Sequence, residues 1–290
     1  MIPEYLQNKL KEYYPSDYLD IIKNYSKDKY SSIRVNTIKV TKEEIIDELT
    51  KNNVSYEEIS EIPNAIILKD GNLKESNLYK EGKIYFQSLS SQIPPFIVDP
   101  KENENILDMT AAPGGKTTEM AAISNNKAMI TAIEKNKIRT DRLKYNIEKQ
   151  GAKKITVLQV DARNLDEYFL FDKILLDAPC SGSGTIMNND YTNISEELIN
   201  RSVSTQKALL NEAIKHLRVG GELIYSTCSI LKEENENPII ELLKNNNDLE
   251  LISIDIKFNN LLPSILEGTI TIKPNEYYEG FFVAKIKKFK

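Results

Sequence analysis

Apolar and polar positions repeat with different periods along this chain, and the pattern first changes near residue 30. Over residues 1–29, leucines, isoleucines and tyrosines recur at helical spacing and are interrupted at Pro15, which predicts one or two short helices. The stretches Ser32–Thr37 and Asn64–Leu68 are typical of strands. Between them, the capping box Thr-Lys-Glu-Glu predicts a helix over Glu43–Leu49. This order of elements predicts a small α+β fold.

The remainder of the chain alternates apolar runs with helical stretches. Helix ends are predicted at Gly151 and at Gly220-Gly221. This alternation predicts a Rossmann-like, mostly parallel α/β sheet that binds ligands at the carboxyl ends of its strands. Runs at residues 269–272 and 281–287 are predicted to close the sheet as an antiparallel hairpin. The predicted parallel strands are Asn105–Met109, Ala128–Glu134, Ile155–Asp161, Lys173–Asp177 and Glu222–Thr227.

We therefore divide the chain into two predicted domains. Residues 1–75 form a small N-terminal α+β domain, and residues 76–290 form the larger α/β domain.

The composition of the chain indicates its broad class and its cellular compartment. With 40% hydrophobic and 28% charged residues, the chain has the balance of an ordinary soluble globular protein, and we expect no membrane segment. Its two cysteines are far apart in sequence, which favours a reducing, cytoplasmic compartment over a disulfide framework. One histidine and no Cys-x-x-Cys pair make a metal site improbable. The histidine, His216, lies in a helical pattern and is expected on a helix surface.

The stretch Asn105–Thr117 carries the first candidate chemistry. An apolar run ends in an acid, turns through small residues and two glycines, and opens a helix at about Lys116-Thr117, an arrangement that offers free N–H groups to a ligand. A phosphate loop would need a glycine where Thr110 stands, and the dinucleotide glycine pattern is also absent. The stretch fits the nucleoside-binding turn of an S-adenosyl-L-methionine (SAM) methyltransferase. Its residues are Thr110, Ala111, Ala112, Pro113, Gly114, Gly115 and Lys116.

Acids follow the predicted strand ends. Glu134 lies nineteen positions after Gly115 and ends the second predicted strand of the sheet, where an acid can accept both ribose hydroxyls of a nucleoside. Asp161 ends the third strand, and Asp108 is expected to accept backbone N–H groups of the turn. The alternative for each is a solvated strand-end residue or a helix cap.

Two further motifs specify a family. Asp177–Thr185 (Asp-Ala-Pro-Cys-Ser-Gly-Ser-Gly-Thr) and Tyr225–Ser229 (Tyr-Ser-Thr-Cys-Ser) follow the turn in order. With Gln87–Gln92 and Glu279–Ala284, they resemble the RNA cytosine-C5 methyltransferases of the RsmB/RsmF and NOL1/NOP2/Sun group, from about Arg34 to the end of the chain. The resemblance implies a seven-stranded SAM-dependent methyltransferase sheet and an N-terminal region that helps to hold RNA, for which a plain packing module is the alternative.

The resemblance also implies roles for the two cysteines. Cytosine C5 is a poor nucleophile, but addition of a thiolate to C6 makes an enamine whose C5 can attack a methyl group. In the family, the Thr-Cys-Ser cysteine, here Cys228, is the nucleophile, and the Pro-Cys cysteine, here Cys180, assists breakdown of the adduct. Another branch uses the Pro-Cys cysteine as nucleophile, so an exchange of roles stays open. A strand end near a helix N-terminus and a cation would lower the pKa of Cys228.

Three further residues receive expected roles. Asp177 is placed to hydrogen-bond cytosine N3 and its exocyclic amine, and it also belongs to the predicted cofactor site. In the family, the position of Asp161 contacts the adenine amino group. Lys116 is expected to orient the methionine carboxylate or the RNA backbone, or to be a helix-surface lysine.

Charge and length bear on the substrate. The net charge of −5 argues mildly against tight, sequence-independent RNA binding, although a local basic face is compatible with it. Among the members of the resembled family, this chain is most similar to the compact archaeal tRNA enzymes. This similarity favours tRNA over rRNA as the substrate. No obligatory protein partner is evident. A catalytically silent RNA-binding assembly factor is the rival from another functional class.

Overall fold

The computed structural model describes residues 2–192 and 194–290. By internal packing, the chain divides into two compact units, one made of the residues up to Lys29 with Leu176–Lys290, the other of Tyr30–Leu175. The division predicted at residue 75 is a different one and stays a prediction.

The unit Tyr30–Leu175 begins with a small antiparallel sheet. Its strand order is β2-β3-β1-β4, and helix α3 (Lys42–Lys51) connects β1 to β2. The capping box before α3 is complete, since the Thr41 hydroxyl accepts from the Glu44 N–H and the Glu44 carboxylate accepts from the Thr41 N–H. Apolar side chains of α3 pack on one face of this sheet, so the predicted α+β fold is confirmed. The strands are β1 (Ser31–Val35), β2 (Tyr56–Glu58), β3 (Ala65–Leu68) and β4 (Ile84–Phe86).

Four parallel strands complete this unit, in the order β8-β5-β6-β7. Apart from Met129 at the start of β6, the apolar residues of β5 and β6 are almost fully buried, as a sheet covered on both faces requires. Helix α7 (Lys137–Gln150) ends at Gly151 in the left-handed conformation, as predicted. The strands are β5 (Asn105–Asp108), β6 (Met129–Ile133), β7 (Ile155–Leu158) and β8 (Phe171–Asp177), and the other helices are α4 (Asn77–Lys80), α5 (Leu89–Val98) and α6 (Gly115–Ile123).

The second unit is built around strand β12, which pairs antiparallel with β9, β10 and β11. The last two residues of β8 belong to this unit, and the strand order of the large sheet is β10-β12-β9-β8-β5-β6-β7 with β11 beside β12. The predicted C-terminal hairpin is confirmed as β11 and β12, whereas the seventh strand of the main order is β10, which the sequence analysis did not predict. The strands are β9 (Leu217–Thr227), β10 (Leu249–Ile252), β11 (Ile270–Ile272) and β12 (Phe281–Lys288).

Helices of the second unit include the first two of the chain. As predicted, α1 and α2 are short and separated around Pro15. Their apolar residues pack in one core with Ile230, Leu231 and Ile199. Pro238 lies in the first turn of the helix that follows Cys228. The helices are α1 (Glu4–Tyr13), α2 (Tyr18–Tyr25), α8 (Glu196–His216) and α9 (Glu236–Asn245).

Two predictions about the end of α8 are wrong. The helix ends at His216, and Gly220-Gly221 lie inside β9. The reason is that Lys288 takes the place of a glycine cap, since its ammonium donates to the carbonyls of Ile214 and Leu217 at 2.9 and 3.1 Å. His216, the last residue of α8, is 1% exposed and lies 3.2 Å from the Glu212 carboxylate, so it is not a surface residue.

Among the described residues, no helix is both long and apolar enough to cross a membrane.

Two glycines allow the backbones of three motifs in the second unit to contact one another. The motifs are Asp177–Thr185, Tyr225–Ser229 and Glu279–Ala284. Gly184, in the motif that follows β8, donates its N–H to the Cys228 carbonyl at 3.0 Å and accepts from the Gly280 N–H at 2.8 Å. A Cβ atom on Gly184 would overlap the carbonyl group of Gly280. Only glycine permits this approach.

Replacing Gly184 therefore tests the approach of these backbones. Because backbone has to move, we expect Gly184→Ala to lower the free energy of unfolding by about 3 kcal/mol. Gly220→Ala is the matched control, since its Cβ would meet no atom within 4 Å and its cost, about 1 kcal/mol, comes only from its φ of +83°. Urea denaturation measures both, and equal losses would contradict the steric explanation.

Candidate active site

The predicted cofactor turn lies at the carboxyl ends of three parallel strands. The Met109 N–H donates to the Leu175 carbonyl of β8 at 3.0 Å, and the Ala111 N–H donates to the Ile133 carbonyl of β6 at 2.9 Å. Gly114, at φ +106°, caps α6. The predicted helix start at Lys116-Thr117 is thus confirmed to within a residue or two. The turn presents small, partly buried residues where a nucleoside would approach.

The Asp108 side chain ties this turn to the helix. It is 1% exposed and accepts a hydrogen bond from the Thr117 hydroxyl at 2.7 Å. The end of β5 is therefore fixed to the first turn of α6. The Lys116 ammonium donates to the Ser91 hydroxyl at 2.7 Å and is half-buried, so it packs on α5 rather than standing as a plain surface lysine.

Glu134 directly follows β6 and is 5% exposed. One carboxylate oxygen accepts from the Asn136 N–H at 2.8 Å, and the other lies 3.1 Å from the Arg139 guanidinium. These contacts hold the carboxylate in one orientation beside the turn, since Arg139 also donates to the Ala112 carbonyl at 2.8 Å.

Asp161 lies three residues beyond the end of β7 rather than at it, so the predicted strand was too long. The chain turns into a short 3₁₀ helix (Ala162–Asn164), and Asp161 caps it through the Arg163 N–H. Hydrogen bonds from the Arg163 side chain, 2.6 Å away at the closest, lower the pKa of Asp161 to about 2. This carboxylate is ionised at any physiological pH.

A buried arginine that the sequence analysis did not single out contacts the end of the cofactor turn and the first turn of α6. Arg34, on β1, is 2% exposed. Its guanidinium donates to the Gly115 carbonyl at 2.5 Å, to the Thr118 hydroxyl at 2.9 Å and to the Glu119 carboxylate at 3.3 Å. The Gln87 side chain accepts a hydrogen bond from the Arg34 guanidinium at 2.9 Å and donates one to the Glu119 carboxylate at 2.8 Å. A single arginine between the apolar residues Ile33 and Val35 of β1 was the available signal.

The ionisation of this cluster is set mainly by burial. Burial raises the pKa of Glu119 to about 7, against the opposing effect of Arg34, and it lowers the pKa of Arg34. Charge pairing between the two side chains is what permits both to be buried.

The two cysteines meet in the second unit. Cys180 lies three residues after β8, and Cys228 directly follows β9, as predicted. Their sulfur atoms are 3.1 Å apart, and both thiols are free and partly exposed. Contact with Cys228, then burial, raises the pKa of Cys180 well above its usual value. The next helix, α9, begins at Glu236, so Cys228 is not in the first turn of that helix.

Asp177 is the last residue of β8 and is half-buried. Its carboxylate accepts from the Ser226 hydroxyl at 2.8 Å, and Ser226 is two residues before Cys228. The structure therefore brings together three of the predicted residues in this unit: Asp177, Cys180 and Cys228.

Glu234, which the sequence analysis did not single out, holds the Cys180 loop. It is fully buried, and its two carboxylate oxygens accept from the Ser181 N–H and hydroxyl, each at 2.6 Å. Burial raises the pKa of Glu234, and its charge contributes to the raised pKa of Cys180. The acidic run after Cys228 was the only sequence signal for this residue.

The loop that carries Cys228 is held by the neighbouring asparagine. Asn235 accepts from the Thr227 hydroxyl at 2.5 Å and donates to the Ser229 carbonyl at 2.9 Å. The Ser183 and Ser229 hydroxyls, 2.8 Å apart, join the two cysteine loops directly. Both thiols are thus positioned by buried polar contacts. Among the described residues there is no group of three or more side chains suited to hold a metal ion.

The strand order, with a small-residue turn at the carboxyl ends of its parallel strands, defines the fold of a SAM-dependent methyltransferase. Residues 95–287 match the family described as 16S rRNA methyltransferase RsmB/F, and residues 2–72 match that family's ferredoxin-like domain. The chain belongs to the RsmB/RsmF family of methyltransferases.

Individual relatives differ in the RNA that their names give. The chain is 36% identical over 298 residues to the ribosomal RNA small subunit methyltransferase F of Shewanella piezotolerans, covering 97% of this chain and 63% of that protein. It is 38% identical over 221 residues to the tRNA (cytosine(72)-C(5))-methyltransferase of Pyrococcus horikoshii, covering 75% and 56%. The chain thus spans less than two thirds of these curated relatives.

Solved structures cover more of the chain. The crystal structure of NSun6 from Pyrococcus horikoshii, determined with SFG, has a TM-score of 0.90 at 25% identity and covers 99% of this chain and 98% of that one. A methyltransferase homologue from the same organism has a TM-score of 0.87 at 28% identity, covering 99% and 100%.

The Arg34–Glu119 pair gives a stability prediction. Removing the guanidinium leaves the Glu119 carboxylate buried without its cation, so we expect Arg34→Met to lower the free energy of unfolding by about 3 kcal/mol at pH 8. The double variant Arg34→Met/Glu119→Gln should recover at least half of that loss. Chemical denaturation of the two variants and the parent makes the comparison.

The loss in Arg34→Met should also depend on pH. The folded pKa of Glu119 lies above its unfolded value of 4.5, so the folded chain holds that proton more tightly and loses stability as the pH rises through about 7. Removing the cation raises this pKa further, so the deficit should be smaller at pH 5 than at pH 8. A deficit that is constant with pH would show that the carboxylate is not the cause.

Proposed function

We propose that this protein transfers a methyl group from SAM to C5 of cytosine in RNA, through a covalent bond between Cys228 and C6. The observation that carries the proposal is the 3.1 Å contact between the sulfur atoms of the chain's two cysteines, each just beyond a strand end. Membership of the RsmB/RsmF family supports the reaction class.

The cofactor fits the residues that would hold it. The glycine-capped turn Thr110–Lys116 leaves room for a nucleoside, and the oriented carboxylate of Glu134 suits two ribose hydroxyls. Asp161 is ionised and can accept from the adenine amine. When bound, SAM supplies an electrophilic methyl group on a sulfonium sulfur. The neighbouring structure determined with SFG, a SAM analogue, supports the assignment.

The chain's own groups make the cytosine reactive. The Cys228 thiolate forms a bond to C6, and the electrons of the C5–C6 double bond are pushed toward N3 and carried by the enamine system. The Asp177 carboxyl accepts from the exocyclic amine and, carrying a proton, donates it to N3, which offsets the negative charge that develops there. C5 would then form a bond to the methyl carbon, whose bond to the sulfonium sulfur would break with its electron pair left on that sulfur.

Release needs the second thiol. The C5 proton passes to solvent water, and the electron pair of its C–H bond forms the C5–C6 double bond as the Cys228 sulfur leaves as a thiolate. N3 returns its proton to Asp177. Cys180, kept protonated by its raised pKa and 3.1 Å away, can donate a hydrogen bond to the departing sulfur. Glu234 holds the loop that presents this thiol.

The substrate is proposed to be tRNA, with rRNA as the alternative. The 38% identity to a relative named as a tRNA cytosine methyltransferase supports tRNA, and the relatives named for ribosomal RNA support the alternative. Cytosine has to be exposed for attack on C6, which favours loops, ends or extruded bases. Bisulfite mapping of RNA from cells with and without the gene decides between the two substrates.

Cofactor binding can be tested without RNA. We expect Glu134→Ala to weaken SAM binding at least tenfold in calorimetry, because the ribose hydroxyls lose their acceptor. A chelator should leave the affinity of the parent unchanged. Cys228→Ala serves as a control that should bind SAM normally. Unchanged affinity in Glu134→Ala would remove that residue from the site.

The two cysteines should give opposite phenotypes. Cys228→Ala cannot form the adduct and should be inactive, whereas Cys180→Ala should attack and methylate but fail to release the RNA. Incubated with bulk tRNA and SAM, only Cys180→Ala should give a protein–RNA species stable to denaturing electrophoresis.

Other results of the trapping experiment are equally informative. Trapping by Cys228→Ala would exchange the two roles and keep the reaction. Trapping by neither variant, with tRNA or rRNA, would favour the catalytically silent assembly factor.

A further inference from the structure

One segment of this acidic protein carries a large excess of positive charge. Residues 135–154 contain eight Lys or Arg and two Asp or Glu, a net charge of +6, whereas the whole chain carries −5. Residues 31–83, which contain the small sheet, have eight basic and ten acidic residues. The basic segment is therefore helix α7 with its flanks. Residues 31–83, which we call the small sheet domain, are acidic.

One row of α7 combines cations with exposed apolar and aromatic side chains. Ile138, Arg142, Tyr145 and Lys149 follow one another at spacings of four, three and four, so they share one face. Ile138 is 76% and Tyr145 61% exposed, and Arg142 is exposed. We call these four residues the α7 row.

The small sheet domain extends the α7 row with another aromatic ring. The Lys149 ammonium lies 3.5 Å from the centre of the Tyr79 ring and 5.9 Å from that of Tyr145. The exposed Lys39 donates to the Lys149 carbonyl at 2.7 Å. Cations alternating with aromatic faces suit a chain of phosphates with unstacked bases.

The next row of the helix fixes this surface to the cofactor turn. Arg139 donates to the Ala112 carbonyl, and Asn146 donates to the Pro113 carbonyl, both at 2.8 Å. RNA held on the α7 row would thus lie next to the turn assigned to SAM.

We propose that the α7 row, with Tyr79 and Lys39, is a docking surface for the substrate RNA, binding its phosphates and an unstacked base outside the reacting cytosine. This inference rests on the proposed function for the identity of the RNA. Charge complementarity favours RNA, because the +6 segment stands out against a negatively charged protein.

A matched control lies on the same helix. Lys137, Asp141, Lys144 and Glu148 form a parallel row with the same spacing, but its two acids cancel its two lysines. The double variants Arg142→Gln/Lys149→Gln and Lys137→Gln/Lys144→Gln therefore remove equal charge from neighbouring faces. Comparing them separates a defined surface from a general effect of net charge.

The measurement is filter binding of bulk tRNA and of a 16S rRNA fragment across a range of salt concentrations. The Arg142→Gln/Lys149→Gln variant should bind RNA at least tenfold more weakly at 0.15 M salt. Because two phosphate contacts are lost, its slope of log K against log salt should be flatter by about 1.5. The control pair should change the slope by less than about 0.5. Equal effects of the two pairs, or no effect of the α7-row pair, would overturn the proposal.

The aromatic part is tested separately. Tyr145→Ala should weaken RNA binding at least about fivefold without changing the salt slope, and Tyr145→Phe should bind like the parent, because stacking needs only the ring. An effect of the phenylalanine variant as large as that of alanine would overturn the stacking role.

Failure of this proposal is distinguishable from failure of the proposed function. SAM affinity should be unchanged in the α7-row pair, and in a Cys180→Ala background the pair should still trap RNA at saturating concentration. Normal trapping with normal RNA affinity would overturn the docking surface alone. Absence of trapping in the Cys180→Ala parent would overturn the covalent mechanism and leave the binding comparison intact.

Discussion

The placement of both thiols depends on polar contacts that are closed to water. Glu234 receives two hydrogen bonds from Ser181, and the Ser183 and Ser229 hydroxyls meet between the loops. A buried carboxylate with these partners is costly to displace, because any movement of the Cys180 loop would leave it unpaired. The two loop segments thereby acquire a defined geometry. The 3.1 Å contact between sulfur atoms is a consequence of that network.

The first two helices contribute to the same arrangement. The Tyr14 hydroxyl donates to the Ile230 carbonyl at 2.8 Å, and the Tyr25 hydroxyl donates to the Ser183 carbonyl at 2.7 Å. Both rings are fully buried. Deleting residues 1–75 would remove this support from the cysteine loops. The effect of such a deletion on methylation would therefore not measure RNA binding alone. The helices are part of the scaffold of the thiol pair.

Local signals in the sequence were sufficient for much of the fold and for the positions of the motifs. Apolar runs, the Thr41 capping box and the glycine turn each specify their structure over a few residues, and they were predicted correctly. The failures involve partners distant in sequence. Lys288 caps α8, and β10 pairs only with the C-terminal strand, so neither the helix end nor the strand was visible locally.

The candidate site shows the same division. Cys180, Cys228 and Asp177 could be predicted to lie together because each stands in a motif at a strand end. Arg34 and Glu234 were missed because their importance comes from burial and from partners, which no local pattern reports.

Uneven charge has a consequence for how a polyanion meets this protein. A net charge of −5 disfavours the approach of phosphates within about a Debye length, roughly 8 Å at physiological salt, whereas the +6 segment around α7 favours it. Collisions with other faces would be short-lived, and those with α7 prolonged. The charge pattern therefore selects the orientation of the encounter before any base is recognised.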